Sequence, residues 1–347
     1  MRVIAFPKTG ISYNDCFSAA LESEGVEVIE GIFSGGWLIQ NLRSGDWLHL
    51  HWPSFAYNIS GSKGRQCLWF ARFAVLLLLA RAKGAQIVWT AHNLLPHDRC
   101  QIPAFDILGR HLVILLSRLI LVHGPGPAAA LQARFPGVRG KLVSIPHGHW
   151  IGYYQADLPK REARDFLAVP QDKPMFLFIG LCKPYKNLHE LVAAFVESDL
   201  DATLVVAGKF ADAAYRNRIV ALAGNDPRIR IREGFIPDEQ MQHHVKACDY
   251  VVVPYREILT SGTAMLALSF GRPLISVDFG FLRDVVSEKV GILFPHDDPE
   301  GLAAALAGAV NRQFDEEAII AHARQFSFDD AARIFARSLQ AGKPVPA

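Results

Sequence analysis

The stretch from Tyr250 to Pro273, Y-V-V-V-P-Y-R-E-I-L-T-S-G-T-A-M-L-A-L-S-F-G-R-P, narrows the possible folds most sharply. Its β-branched run, Val251 to Val253, predicts a strand buried on both faces, which is the habit of parallel sheets. Pro254 ends that strand. A polar loop follows, and Ser261-Gly262-Thr263 opens an apolar helical run from Ala264 to Phe270, stopped by Gly271 and Pro273. A strand leading through Ser-Gly-Thr into a helix N-terminus is also an anion site. The first-turn amides point outward, the macrodipole favours negative charge, and Gly262 lets a ligand approach the backbone. An ordinary N-cap by Ser261 or Thr263 uses the same residues, so their neighbours decide between the two.

Those neighbours alternate strand and helix twice over. In the first half, strands are predicted at Val3–Phe6, Val26–Glu30, Trp47–His51, Ile87–Ala91, Leu119–Val122 and Leu142–Ile145. Helical stretches near Asp15–Glu24, Arg65–Lys83, Phe105–Ser117 and Pro127–Phe135 separate them. After an aperiodic segment, His149–Pro174, the alternation restarts with Met175–Ile179, Ala202–Ala207, Ile229–Glu233, Tyr250–Val253, Leu274–Val277 and Gly291–Phe294. Helices are predicted near Leu188–Val196, Ala213–Ala223, Asp238–Ala247, Ala264–Phe270 and Pro299–Val310, with two more at Glu316–Ala323 and Phe328–Leu339. The pattern is that of two doubly wound parallel sheets. It gives domains at 1–150 and 151–325, with 326–347 a C-terminal helix that packs back on the first. Chemistry is expected in the loops at the carboxyl ends of the strands, in a cleft between facing halves.

In the second half these loops carry Lys183 and Lys186, in G-L-C-K-P-Y-K-N. Two lysines there place positive charge near the Ser-Gly-Thr turn, as neutralising a diphosphate requires. In the first half His49, His51, His92, His97, His147, His149 and also His123 lie in or beside the corresponding loops. His49 and His51 alternate on one strand and share a face. No helical H-x-x-x-H with a carboxylate partner appears, so no metal is expected.

Half of the 347 residues are apolar, enough for two packed cores. Five scattered cysteines fit a reducing cytosol, and M-R-V-I-A-F-P enters a strand directly, with no leader expected. The net charge of +2 hides an asymmetry: residues 1–150 hold 14 Lys and Arg against 8 Asp and Glu, the remainder 22 against 26. A basic front half suits an anionic partner such as a phospholipid surface or a pyrophosphate. The charge is not gathered into basic runs, so nucleic acid is not expected. No G-x-G-x-x-G follows the first strand, which argues against a nicotinamide dehydrogenase. The Arg65–Lys83 helix is too interrupted by charge to span a bilayer, but Trp69, Phe70 and Phe73 among Arg65, Arg72, Arg81 and Lys83 suit an interfacial helix. A sheet-covering helix with snorkelling arginines has the same composition.

The order G-L-C-K-P-Y-K-N-L, L-V-V-A-G, G-F-I-P-D, D-Y-V-V-V-P-Y-R-E, S-G-T-A-M-L-A-L-S-F-G-R-P resembles the donor half of GT-B glycosyltransferases. W-T-A-H-N-L-L-P-H-D and V-S-I-P-H-G resemble their acceptor-half loops, and with L-H-L-H-W-P the likeness is closest to bacterial exopolysaccharide β-mannosyltransferases of the xanthan type. The resemblance implies a GDP-mannose donor, a polyprenyl-diphosphate-linked oligosaccharide acceptor, no metal or other cofactor, and a cytoplasmic protein peripheral to the inner face of the membrane. It implies that Lys183 and Lys186 contact the diphosphate and that the Ser261, Gly262 and Thr263 amides hold its distal phosphate. Phe235 and Ile236 then frame the base, Glu257 reaches the ribose or sugar, and His92 touches the transferred sugar. Thr9, Gly10, His49, His51 and Trp52 fall in the acceptor-side loops.

The chain departs from the large retaining branch of that fold. Two glutamates eight positions apart are replaced by Ile258 and Leu266, and the usual arginine of the lysine loop by Leu181. An inverting displacement with one general base on the acceptor side fits better. The candidates are Asp98, with His97 as partner or substitute, and Asp15, which is also placed to cap its helix.

Overall fold

Burial on both faces is what the strand sequences demanded, and the computed structural model, describing residues 1–96 and 98–345, supplies it. The chain divides into unit 1, Met1–Gly148 with Ser327–Ala347, and unit 2, His149–Phe326. Unit 1 runs β1 (Arg2–Phe6), α1 (Ser12–Ser23), β2 (Glu27–Glu30), α2 (Gly35–Asn41), β3 (Trp47–Leu50), α3 (Lys63–Ala82), β4 (Gln86–Thr90), α4 (Ala104–Leu116), β5 (Ser117–Val122), α5 (Pro125–Arg134) and β6 (Leu142–Ser144). Unit 2 runs α6 (Lys160–Leu167), β7 (Met175–Ile179), α7 (Leu188–Glu197), β8 (Thr203–Gly208), α8 (Ala213–Ala223), β9 (Ile229–Glu233), α9 (Met241–Val245) and β10 (Tyr250–Val253). It continues with α10 (Gly262–Ser269), β11 (Leu274–Val277), α11 (Gly280–Val285), β12 (Gly291–Phe294), α12 (Gly301–Ala309) and α13 (Glu316–Ala323). The last helix, α14 (Phe328–Ala341), belongs to unit 1.

Each unit holds one six-stranded parallel sheet, ordered β2-β1-β3-β4-β5-β6 and β12-β11-β10-β7-β8-β9. Strands β7 and β10 are buried at every position, as their unbroken apolar runs require. The order reverses between β1 and β3 in the first sheet and between β7 and β10 in the second. At such a switch point the two flanking loops diverge and leave a crevice at the carboxyl ends of the strands.

All twelve expected strands are present, shifted by a residue or two at their ends. Three short helices, α2, α6 and α11, were not expected. The segment read as an aperiodic junction contains α6, a two-turn amphipathic helix that buries Ala163, Arg164 and Leu167 and ends on Ala168 at φ 50°. Its buried arginine disguises the apolar period. The helix expected over Asp238–Ala247 is split into a 3₁₀ turn, Asp238–Gln240, and α9.

Helix α14 returns to cover the first sheet beside α1. Phe335 stacks on Phe17 at 5.8 Å, Phe328 meets Tyr13 at 5.6 Å, and Arg118 donates to the Gly342 carbonyl. Gly148, at φ 95°, is glycine by necessity, since a Cβ there would lie 2.4 Å from the Phe328 ring.

At the amino-terminal ends of the second sheet, a polar cavity of about 460 Å³ is lined by charges that pair with one another. Arg164 donates to the carbonyls of Ala247, Pro170, Gln171 and Lys173 and to Asp249 at 2.7 Å, while Asp249 also accepts from Lys160 and the Met175 amide. This network joins α6 to the strand starts. Removing the Arg164 side chain leaves Asp249 and four carbonyls short of a donor. Arg164→Ala should destabilise unit 2 by roughly 3–5 kcal/mol, read as a lower denaturation midpoint at unchanged m-value. A loss under about 1 kcal/mol would show the carbonyls find water instead.

Candidate active site

The switch point of the second sheet gathers the residues expected to hold a diphosphate. Strand β7 ends at Gly180, whose φ of 113° turns the chain toward Lys183, and a 3₁₀ turn, Pro184–Lys186, leads through Asn187 at φ 59° into α7. Strand β10 ends at the loop that starts α10. A Cβ at Gly180 would lie 3.4 Å from Lys186 Nζ and 3.7 Å from Thr263 Oγ1, so the lysine and the helix start converge on one point. Gly208 closes the floor, since a Cβ there would sit 1.8 Å from the Gly180 carbonyl oxygen.

At the start of α10, Ser261 Oγ accepts from the Ala264 amide at 3.1 Å, so the N-cap reading holds for Ser261. The amides of Gly262 and Thr263 belong to the first turn and have no acceptor within the helix. Trp150 braces this turn, its indole donating to the Gly262 carbonyl at 3.1 Å and its amide accepted by Ser269 Oγ at 2.8 Å. The turn is thus held from behind with its dipole end forward.

Lys186 is 9% exposed, with its ammonium 5.0 Å from the centre of the Tyr255 ring. Burial works against its charge, but Tyr255 and Tyr185 outweigh it and lift the pKa above the ordinary lysine value. Lys186 is therefore a desolvated cation at neutral pH, where its field is strong. Lys183 is half-buried in the same loop. The loop after β10 is tied to it: the Arg256 amide donates to the Tyr185 carbonyl at 3.0 Å, Arg256 pairs with Glu190, and His296 Nε2 meets the Arg256 carbonyl at 3.0 Å. Glu257 is exposed on that loop, and Ile258 and Leu266 bring no carboxylate. Beyond β9, Phe235 is 80% exposed beside half-buried Ile236, an aromatic face open to stacking. The tyrosines around Lys186 and the Trp150 brace were not singled out from the sequence, although Tyr255 sits within the strand-loop motif itself.

In unit 1 the histidines assemble, but as an interior cluster. Tyr13 of α1 stands edge-on to His51, His92, His123 and His147, with ring centres 4.9–6.1 Å away. His51 and His92 share a hydrogen bond of 3.1 Å, and Trp52 stacks on His92 at 4.4 Å. His49 does share a face with His51, but it points into the core. It lies against Phe17 and Phe335, meets Thr90 Oγ1 at 2.7 Å and is 2% exposed, as is His51. Burial pushes His49 down to about 3 and His147 to about 4; burial and then neighbouring imidazoles hold His51, His92 and His123 well below 6.5.

The remaining acceptor-side residues form a tied loop. Glu30 accepts from the Lys8 and Thr9 amides, both at 2.9 Å, and from Thr9 Oγ1 at 3.1 Å. Asp15 accepts from the Gly10 amide at 3.0 Å and so holds the loop before α1 instead of capping the helix, whose N-cap is Ile11. Asp98 is exposed, and its carbonyl accepts from Asn58 at 2.5 Å. His97 lies outside the described residues. Among those residues no group of three or more His, Cys, Asp or Glu is placed to hold a metal, and no helix is long and apolar enough to cross a membrane.

Two doubly wound parallel sheets, the second with a lysine and a helix N-terminus meeting at its switch point, define the GT-B fold. Residues 159–326 match the family Glycosyl transferases group 1. Sucrose-phosphate synthase of Thermosynechococcus elongatus is similar in structure at a TM-score of 0.72 and 17% identity, covering 98% of both chains. HepE of Anabaena, solved with UDP and glucose, is similar at 0.71 and 16%, covering 98% of this chain and 100% of that one. In sequence, the chain is 27% identical over 252 residues to a GDP-mannose:glycolipid 4-beta-D-mannosyltransferase of Xanthomonas campestris pv. campestris (strain ATCC 33913), 71% of this chain and 65% of the relative. A D-inositol 3-phosphate glycosyltransferase of Streptosporangium roseum is 25% identical over 260 residues, 69% of this chain and 59% of the relative. The chain thus spans less than two thirds of these relatives' length.

Two outcomes follow from this geometry. Lys183→Ala with Lys186→Ala should weaken nucleotide-sugar binding at least about tenfold, while unchanged affinity in the folded double variant would remove the lysines from the site. In the histidine cluster the unfolded chain takes up protons near pH 6.5, whereas burial holds the folded imidazoles below that, His49 down to about 3 and His147 to about 4. Stability is therefore full above about pH 6.5 and falls as pH drops, by up to about 1.4 kcal/mol per pH unit for each histidine. Melting temperatures between pH 7.5 and 5 should fall less steeply for His49→Gln than for the native chain, and parallel curves would show that His49 is protonated in the folded state.

Proposed function

We propose that the chain transfers mannose from GDP-mannose, with inversion, to a polyprenyl-diphosphate-linked oligosaccharide in exopolysaccharide assembly, as a peripheral protein at the inner face of the cytoplasmic membrane. The observation that carries the donor half is the meeting of Lys186 Nζ and Thr263 Oγ1 at Gly180. A leaving diphosphate gains negative charge as the glycosidic bond breaks, and a buried cation with first-turn amides stabilises that charge where it develops. No metal is required in this reading. The mannose donor and glycolipid acceptor are supported by the name of the Xanthomonas campestris relative, a GDP-mannose:glycolipid 4-beta-D-mannosyltransferase.

In this reaction an acceptor hydroxyl attacks the anomeric carbon, the bond from that carbon to the diphosphate oxygen breaks, and the hydroxyl proton passes to a base. We assign that base to Asp98, which is exposed on the loop beyond the carboxyl end of β4. Phe235 stacks on the nucleobase and Glu257 reaches the ribose or sugar. The membrane assignment is supported by α3, which buries Phe73, Leu76 and Leu77 but exposes Leu68, Val75 and Leu78, with Lys63 and Arg65 in its first turn. An apolar stripe flanked by cations fits an anionic bilayer surface.

The test is transfer of labelled mannose from GDP-mannose to a polyprenyl-diphosphate glycan, alongside thermal shifts with GDP-mannose, UDP-glucose and dTDP-glucose. A shift and turnover with GDP-mannose alone are expected; a response only to another nucleotide sugar would overturn the donor. Asp98→Asn should lower kcat about a hundredfold with nucleotide binding intact. Near-normal turnover there, with loss in Asp15→Asn, would move the base to the first loop.

A further inference from the structure

A cavity of about 550 Å³ in unit 1 lies at the carboxyl ends of β1, β2 and β3, bordered by Phe6, Glu30 and Leu50 at those strand ends. This is the switch point of the first sheet, the place where a doubly wound sheet takes its ligand, and the volume is within the range of about 300–1,000 Å³ for small-molecule sites. We propose that this cavity receives the isoprenoid chain of a prenyl diphosphate, the apolar part of the acceptor. The inference rests on the acceptor reading above.

The walls decide the chemistry. Trp52, Phe33, Phe55, Trp69 and Phe73 line the cavity, with only Glu30, Ser34 and Arg72 as charged or hydroxyl side chains. Each of these makes a contact to the protein: Glu30 holds the Lys8-Thr9 loop, Ser34 Oγ accepts from the Trp37 amide, and Arg72 donates one N–H to the Phe33 carbonyl at 3.1 Å while lying 4.6 Å over the Trp69 ring. Walls made mostly of aromatic and aliphatic surface suit an unbranched or methyl-branched hydrocarbon, which needs no polar partner.

The mouth decides the head group. Ile32 and Phe55 are lining residues that are 60% and 67% exposed, and α3, which supplies Trp69, Arg72 and Phe73 to the wall, also exposes Leu68, Val75 and Leu78. Arg72 keeps guanidinium N–H groups beyond the one given to Phe33, and Lys63 and Arg65 are exposed at the start of the same helix. Cations beside an apolar cavity complement an amphiphile with an anionic head, and a diphosphate is the head that guanidinium binds in bidentate fashion. This also gives Trp52 a role: its ring forms a cavity wall and stacks on His92 of the interior cluster.

The test uses the fluorescence of Trp52 and Trp69 during titration of the whole chain with farnesyl diphosphate, inorganic diphosphate and dihexanoyl phosphatidylglycerol. Saturable binding of farnesyl diphosphate is expected, with at least about tenfold weaker binding in Phe55→Asp and in Ile32→Asp. Both side chains are exposed, so both variants should keep their melting temperature; should one unfold, the other carries the comparison. Equal affinity in a folded variant, equal binding of inorganic diphosphate or of the phosphatidylglycerol, or displacement of farnesyl diphosphate by methyl mannoside would each overturn the proposal. GDP-mannose binding by the native chain separates the two readings. Absence of saturable farnesyl diphosphate binding in a native chain that still binds GDP-mannose overturns the cavity assignment alone, whereas farnesyl diphosphate binding without mannosyl transfer overturns the proposed reaction alone.

Discussion

A parallel sheet covered on both faces leaves its polar chemistry one place to go. Its interior is apolar because helices bury both sides, and its strand ends are where backbone and loops meet water. In unit 2 this constraint delivers the loop after β7 and the loop after β10 to the same point. Gly180 and Gly208 are the physical enabling step: with no Cβ at either, two turns close over one another and let Lys186 and Thr263 approach. The rest of the site is support. Tyr255 and Tyr185 keep a buried lysine charged, and Trp150 braces the helix turn from behind.

Unit 1 repeats the architecture with opposite chemistry. Its switch point opens into an aromatic cavity, and the neighbouring strand ends are packed with histidines that burial keeps neutral. The two sheets place unlike residues on one topology: function follows the residues at the strand ends, and the strand order says only where to look. Tyr13 is the hub of the histidine cluster, and α14 closes it with Phe328 and Phe335. A C-terminal helix is thereby part of the same core as the N-terminal strand, which ties the stability of unit 1 to both ends of the chain.

The loops after β7 and β10 were legible in the sequence because local signals suffice for them. A β-branched run, a Ser-Gly-Thr turn and an apolar helix specify β10 and α10 without help from distant residues, and Lys186 follows β7 at fixed spacing. The two short helices α2 and α11 were not legible, being too brief to show a period, and α6 was masked by Arg164, a charge at a core position. The role of His49 was likewise hidden. Alternation places it on the same face as His51, but whether that face meets solvent or the α1 and α14 rings depends on a helix nearly three hundred residues away.

Sequence alone therefore determined the two parallel sheets, their strands and the Ser-Gly-Thr turn that starts α10, since each rests on periodicity or on residues adjacent in the chain. Tertiary structure decided what no local pattern encodes. It set Lys186 beside Tyr255, turned the histidines inward, gave Asp15 to the Gly10 amide, and gathered aromatics from β1, from the segments after β2 and β3, and from α3 around one cavity. Those outcomes depend on which side chains strand order and helix packing bring within a few ångströms, and distance in space is not written in spacing along the chain.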